Sequence, residues 1–169
     1  MGSGIKEDLI EFACGLYAVP AVKKASLELQ NSHGANVNVI LWLCWLDARQ
    51  VSVTAAALSN ALDIVGGVND ELLSQLRGVR KRLDEASTFT KVQDRLICKN
   101  ILAAELAIEK ILLQRLQDLT ARLDEPAAEA EPLSLFDYLN SLESNDSGSI
   151  AAELLEQSRN YVVIQRELA

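Results

Sequence analysis

The chain has 169 residues, of which 49% are hydrophobic and 24% are charged, and its formal net charge is −8. These proportions exclude a disordered chain and are typical of a globular protein. Only eight residues are glycine and three are proline, which favours helices over an all-β fold. The acidic net charge argues against broad affinity for nucleic acid.

We expect no membrane span, because the longest apolar run is about half of what a bilayer requires. Residues 1–20 also lack the basic start and apolar core of a signal peptide. Three cysteines, Cys14, Cys44 and Cys98, are far apart and lie within helical apolar patterns. We interpret them as reduced, buried side chains of a cytoplasmic protein, and we expect neither a metal site nor a cofactor.

The first third of the chain predicts three helices. The first is expected over about residues 4–18, with Ser3 as its N-cap. Pro20 suits the first position of the second helix, and Gly34 can end that helix in the left-handed conformation. The third helix is apolar on every side from Val37 to Leu46 except at Asn38. Such a helix has to be surrounded by others.

Further helices follow this central one. A fourth is predicted over about residues 54–65, with Gly66-Gly67 as its stop and Asn69 as the cap of a fifth. Thr90 and Gln93 have the spacing of a capping box, so a long helix is predicted over 90–123. Its length of about 45 Å, at 1.5 Å per residue, predicts an overhang. The alternative is that its C-terminal part meets another chain, and the predicted partner is another protein or, through the helix 90–123, a second copy of this chain.

The composition changes near residue 124, after which acidic residues dominate. We predict a helical core domain at 1–124, an acidic Pro/Ala linker at 125–132 and an acidic helical appendage at 133–169. The expected fold class is therefore all-α. About six core helices surround the central apolar helix, and two further helices form the appendage.

Candidate site residues cluster where the central helix begins. His33 is the only histidine; it can bond to loop backbone, or it can act as a base or ligand contact in a cleft. Asn36 can cap the helix or contact a ligand, and Asn38 needs buried partners if it faces inward. Trp42 and Trp45 are three residues apart and are interpreted as core.

Two further sets of charged residues are candidate sites. Glu105 and Glu109 lie one helical turn apart and can either share a divalent metal or form a solvated face, although the paired Glu-x-x-His motifs of di-iron bundles are absent. A basic group along one helical hairpin can be an ordinary surface or an interaction patch for an acidic partner or the chain's own tail. That patch comprises Arg77, Arg80, Lys81, Arg82, Lys91, Arg95 and Lys99.

Two blocks of sequence resemble a small bacterial family, domain of unknown function 2390. The first runs from Leu9-Ile-Glu-Phe-Ala-Cys-Gly-Leu-Tyr17 through Pro20 to Leu29-Gln-Asn-Ser-His-Gly-Ala-Asn-Val-Asn38 and the apolar helix. The second is Ala103-Ala-Glu-Leu-Ala-Ile-Glu109. Together they cover about residues 1–120. The resemblance implies a cytoplasmic, all-helical protein without an established activity or cofactor, and it draws attention to His33, Gly34, Asn38 and Glu105.

No phosphate-binding glycine loop, CxxC, HExxH or GxSxG motif is present, so no catalytic residue is named. The first hypothesis is therefore a non-enzymatic interaction or adaptor protein. The alternative is a small-molecule-binding protein or enzyme with a pocket near His33 and Asn38, and it is favoured if these residues converge with Glu105 on an open pocket. A third hypothesis is weak nucleic-acid binding by the basic hairpin, where Phe89 is the only interleaved aromatic residue.

Overall fold

The computed structural model describes residues 8–86, 89–122, 133–142 and 147–168. Within these ranges the chain forms eight α-helices, which confirms the predicted all-α fold. None of them combines the length and apolar composition that crossing a membrane requires. The helices are α1 Leu9–Tyr17, α2 Pro20–His33, α3 Val37–Arg49, α4 Ala55–Val68, α5 Ser74–Ala86, α6 Lys91–Thr120, α7 Leu135–Asn140 and α8 Ser147–Leu168, with a π-helical turn Asn69–Leu73 between α4 and α5.

Helix α3 lies at the centre of the fold, as its apolar composition predicts. Every residue from 38 to 46 is buried, and the helix contacts α1, α2, α4, α6, α7 and α8. The enclosed Trp42 indole N–H donates a 2.8 Å hydrogen bond to the Thr120 hydroxyl, which donates to the Leu116 carbonyl at 3.0 Å. Trp45 is also buried. The two tryptophans are therefore core residues.

Most of the predicted helix ends are confirmed. Pro20 is the first residue of α2, and Gly34 ends that helix with a φ of 69°. Asn36 caps α3 through its side-chain oxygen. Thr90 and Gln93 form the expected capping box at the start of α6.

Helix α1 begins later than predicted. Asp8 is extended and caps the helix by accepting a 2.8 Å hydrogen bond from the Glu11 amide, so the first helical residue is Leu9. A carboxylate both accepts from the free amides of the first turn and suits the helix dipole, which explains the start at this position. The predicted Ser3 cap lies outside the described residues.

The predicted break between the fourth and fifth helices is wrong. Helix α4 continues through Gly66-Gly67 to Val68, and the π-helical turn leads directly into α5. Glycine inside a helix costs only about 1 kcal/mol relative to alanine. Val65 and Leu73 on either side are each 1% exposed, and their burial outweighs that cost. The wider π turn changes the direction in which the side chains of α5 project.

The two C-terminal helices pack against the helical core. Helices α7 and α8 contact α3, and α8 also contacts α2. Tyr138 and Leu154 belong to the hydrophobic cluster that contains α3. The Arg159 guanidinium donates to both carboxylate oxygens of Asp47, at 3.2 and 3.4 Å. The linker predicted at 125–132 lies outside the described residues, so the division of the chain at 124 and 132 stays a prediction.

Helix α6 has 30 residues, and its N-terminal half is the part that leaves the core. Leu112, Leu113 and Leu116 in its C-terminal half are buried, whereas no residue of 91–104 is. Helix α5 packs along this exposed half. We name residues 74–104, within the described ranges, the α5–α6 arm. The helix overhangs the core as its length predicts, and it does so at its N-terminal half. The alternative contact of the C-terminal part with another chain does not fit, because those leucines complete the core around α3.

The contact between α1 and α8 yields a stability prediction. A Cβ added at Gly15 would overlap the Tyr161 hydroxyl of α8, whereas nothing lies within 4 Å of the same position at Gly78 of α5. We expect Gly15→Ala to lower the free energy of unfolding by about 1–3 kcal/mol through overpacking. Gly78→Ala should raise it by up to about 1 kcal/mol. Urea unfolding measures both, and equal stability of the two variants would contradict this packing.

Candidate functional site

A cleft of about 600 Å³ opens at the N-terminus of α3, lined by residues of α1, α2, α3, α5 and α6. Its volume falls within the range of roughly 300–1,000 Å³ that small-molecule sites occupy. Leucines contribute the apolar part of the lining, and amide, hydroxyl, thiol and charged groups contribute the polar part. This composition is the one expected of a ligand pocket.

Three of the four residues singled out from the sequence line this cleft, namely Asn36, Asn38 and Glu105. His33 is the last residue of α2, is half-buried and is not among the lining residues. The arrangement that favours the small-molecule hypothesis is therefore met in part, because Asn38 converges with Glu105 on an open pocket and His33 does not.

Asn36 holds the start of α3 in place. Its side-chain oxygen accepts hydrogen bonds from the amides of Asn38, at 2.9 Å, and Val39, at 3.4 Å. Its own amide donates to the Tyr138 hydroxyl at 2.9 Å. Burial raises the pKa of Tyr138, so this hydroxyl stays protonated. Asn36 therefore ties the cleft to α3 and α7.

Asn38 is the only polar residue in the buried run 38–46 of α3. It is 8% exposed and lines the cleft. Its backbone amide is bonded to Asn36, but its side-chain amide has no hydrogen-bond partner within the part of the chain that the structure describes. Among the described residues, the fully buried side-chain atoms without a partner are the Ser26 and Ser158 hydroxyl oxygens, so the Asn38 amide is open to the cleft and is not sealed in the core. The cleft is where this group can find a partner.

Glu105 of α6 and Arg80 of α5 form a bidentate ion pair. The Arg80 Nε and Nη2 atoms donate to the two Glu105 carboxylate oxygens, each at 3.0 Å. The Glu105 side chain is 4% exposed, while that of Arg80 is 36% exposed. The hydrogen bond to Glu105 raises the pKa of Arg80. Two parallel charge-assisted bonds fix both side chains, and solvent reaches mainly the guanidinium.

A second pair lies one turn away. Arg77 Nη2 donates to Glu109 Oε1 at 2.7 Å, with about a third of each side chain exposed. Tyr17 of α1 also lines the cleft, and its pKa is raised by partial burial and by the Glu109 carboxylate, although Arg77 opposes this shift. The Lys23 ammonium lies 5.9 Å from the centre of the Tyr17 ring, a cation–π distance. The tyrosine is thus a neutral hydroxyl in a charged setting.

The basic residues assigned to one patch divide into two groups. Arg77 and Arg80 line the cleft, where they pair with the carboxylates of α6. Lys81 lies 3.7 Å from Glu85 in an exposed pair. The remaining residues are exposed on the arm and are Arg82, Lys91, Arg95 and Lys99.

The pairing of Glu105 and Glu109 with arginines differs from both alternatives, the shared metal and the solvated face, and the solvated face is wrong for Glu105, which is buried. Among the described residues, no group of three or more His, Cys, Asp or Glu side chains is placed to hold a metal ion. Arg77 and Arg80 are three apart on α5, and the two glutamates are four apart on the next helix. The matching spacing of the two arginines and the two glutamates is the sequence pattern from which both ion pairs could have been predicted. No such pattern predicts that the cleft is also lined by Tyr17, Lys23 and Lys110, because their positions depend on how α1, α2 and α6 cross.

A scan against protein families matches residues 8–116 to the family described as protein of unknown function DUF2390. The chain belongs to this family. Searches of curated proteins and of solved structures found no match. All the residues that line the cleft lie between 13 and 113, so the cleft is within the matched domain. The resemblance stated from sequence is thereby confirmed, and the family description carries no activity.

The Arg80–Glu105 pair yields a second stability prediction. Arg80→Met removes the counter-charge of a carboxylate that is almost fully buried. Breaking a buried pair costs about 3–5 kcal/mol, and we expect about 1–3 kcal/mol here because Arg80 is partly solvated. The control Lys81→Met removes an exposed cation of the same helix and should cost less than about 0.5 kcal/mol. Denaturant unfolding measures the difference, and equal costs would show that Glu105 does not depend on Arg80.

Proposed function

We propose that the protein binds a small molecule in the cleft between α1, α2, α3, α5 and α6. The observation that carries this proposal is Asn38, a residue 8% exposed whose side-chain amide has no partner among the described residues and is open to the cleft that it lines. Such a polar group adds no apolar packing to the helix, and sites that hydrogen-bond a ligand commonly give up stability in this way. A leucine at this position would suit the apolar helix better if packing alone mattered.

The support around Asn38 favours a preorganised site. Asn36 is held by three hydrogen bonds, and Glu105 is held by both donors of Arg80. These side chains project from helices, which position groups more accurately than loops. No hydrogen bond joins Cys14 or Tyr17 to a base within the described residues. We therefore propose binding and assign no reaction.

A ligand search in which the reactivity of Cys14 reports binding tests this function. Cys14 is exposed and lines the cleft, whereas burial raises the pKa of Cys44 to about 12 and keeps that thiol unreactive near neutral pH. In a Cys98→Ser background, Cys14 is then the thiol that iodoacetamide modifies. We expect a ligand found by thermal-shift screening of a metabolite library to slow this modification at least tenfold.

Substitution of Asn38 separates a ligand contact from a structural role. We expect Asn38→Leu to abolish protection of Cys14 while the melting temperature stays the same or rises, because an unpaired amide is replaced by an apolar group. Asn60→Leu, at an exposed position of α4, should change neither property. A loss of stability of more than about 1 kcal/mol in Asn38→Leu alone would mean that the amide is paired in the folded protein.

A second candidate function is protein interaction through the exposed half of α6. Val92 and Leu96 are 75% and 61% exposed and are four residues apart, so they share a face of the helix. Ile111, further along α6, is 54% exposed. Exposed apolar side chains that lie together on one face mark interaction surfaces. We propose a second copy of the chain as the partner.

Oligomeric state tests this candidate. We expect Leu96→Glu to shift the protein from dimer to monomer in sedimentation equilibrium, because a charge would enter the apolar contact. The control Val163→Glu places the same charge on α8, at a residue that is 52% exposed, and should leave the dimer intact. A wild-type protein that is monomeric at all accessible concentrations would remove self-association through α6.

A further inference from the structure

The charged side chains of the cleft are mostly basic, whereas the chain as a whole is acidic. The net charge of the protein is −8, yet four basic and two acidic side chains line the cleft. The two glutamates are paired with Arg77 and Arg80. Lys23 and Lys110 form no ion pair within the described residues. Two ammonium groups are thus left without a carboxylate, and the walls of a cleft strengthen their field.

The N-terminus of α3 adds to this positive character. Val37 and Asn38, the first two residues of this 13-residue helix, both line the cleft. The N-terminal end of a helix carries a partial positive charge. The side chain of Asn38, at a residue 8% exposed, provides a second, independent indication of a ligand, because its NH2 and carbonyl groups have no partner in the described structure. Beside two ammonium groups and the N-terminus of α3, the ligand atom that suits the NH2 donor best is an oxygen that carries negative charge.

Leucines provide the remainder of the lining. Leu27 and Leu41 lie in the cleft on α2 and α3, and Leu102 and Leu106 lie on α6. The last two are 43% and 50% exposed, which leaves apolar surface uncovered beside charged groups. Covering such surface is favourable by about 25 cal/mol per Å². A ligand that fills this cleft should carry an apolar body as well as an acidic group.

We propose that the cleft binds an amphipathic organic anion. Its acidic group accepts a hydrogen bond from Asn38 and is attracted by Lys23 and Lys110, and its apolar body packs against the leucines. This inference rests on the proposed small-molecule function and adds the class of the ligand. A carboxylate and a phosphate monoester share the required chemistry, since both present anionic oxygens to the same donors.

Four probes with one apolar chain and different head groups test the proposal. Octanoate, octyl phosphate, 1-octanol and octylamine are titrated below their aggregation limits into the full-length protein, and binding is measured by calorimetry. We expect at least one of the two anions to bind at least tenfold more tightly than octanol, and octylamine to bind most weakly. The anion affinity should fall as salt rises, and the tighter anion identifies the acidic group.

Charge variants locate the binding. Lys110→Glu should weaken the binding of the preferred anion at least tenfold and leave octanol unaffected. Lys99→Glu reverses an exposed charge of the same helix outside the cleft lining and should change neither affinity. Asn38→Leu should weaken the anion but not the alcohol. Circular dichroism confirms that each variant is folded.

The outcomes separate this inference from the function on which it rests. The proposed ligand class is wrong if all four probes bind equally or if neither anion binds. The small-molecule function still holds in that case when a compound from the library screen binds in the cleft. Anion binding that is unchanged by Lys110→Glu and Asn38→Leu also overturns it, because the anion is then held elsewhere. If no compound of any class protects Cys14, the proposed small-molecule function itself is wrong.

Discussion

The rest of the structure depends on the burial of α3 on every side. Residues 38 to 46 are all buried, and each large apolar side chain among them contributes about 1.5–3 kcal/mol when it leaves water. No single neighbour can cover such a helix, so α1, α2, α4, α6, α7 and α8 all contact it. Each of these helices needs only one apolar face in return. The hydrogen bond from Trp42 to Thr120 satisfies the indole N–H inside this packing.

The candidate site lies at the first turn of α3, at the edge of that packing. The first turn of α3 belongs both to the core and to the cleft, because Asn36 caps the helix and Asn38 lies among its buried residues. The Asn38 amide has no partner among the described residues and is open to the cleft. A polar group at this position is therefore both rigidly held and available to a ligand. This cleft differs from an ordinary surface depression because its polar side chains are rigidly supported and the Asn38 NH2 group has no partner among the described residues.

The α5–α6 arm connects the two candidate functions. Arg77 and Arg80 lie near the base of the arm on α5, and they pair with Glu109 and Glu105 of α6 in the lining of the cleft. The exposed apolar residues Val92 and Leu96 lie further along the same helix. A ligand in the cleft and a protein on the arm would thus contact the same pair of helices. The π-helical turn Asn69–Leu73 comes just before this pair and sets how the arginines project.

The sequence by itself determined the all-α fold, the central position of α3 and most helix ends, because caps, prolines and apolar periodicity act over a few residues. Local reasoning failed at Gly66-Gly67, where buried neighbours outweigh the cost of glycine. The length of α6 predicted an overhang but did not show which half of the helix leaves the core. It identified Asn38 and Glu105 as candidates but could not find the cleft that joins them. Only the tertiary structure brought Tyr17, Lys23, Arg77, Arg80 and Lys110 to that cleft. Their convergence depends on the crossing of five helices, and a crossing angle results from the packing of whole helix faces and leaves no short pattern in the chain.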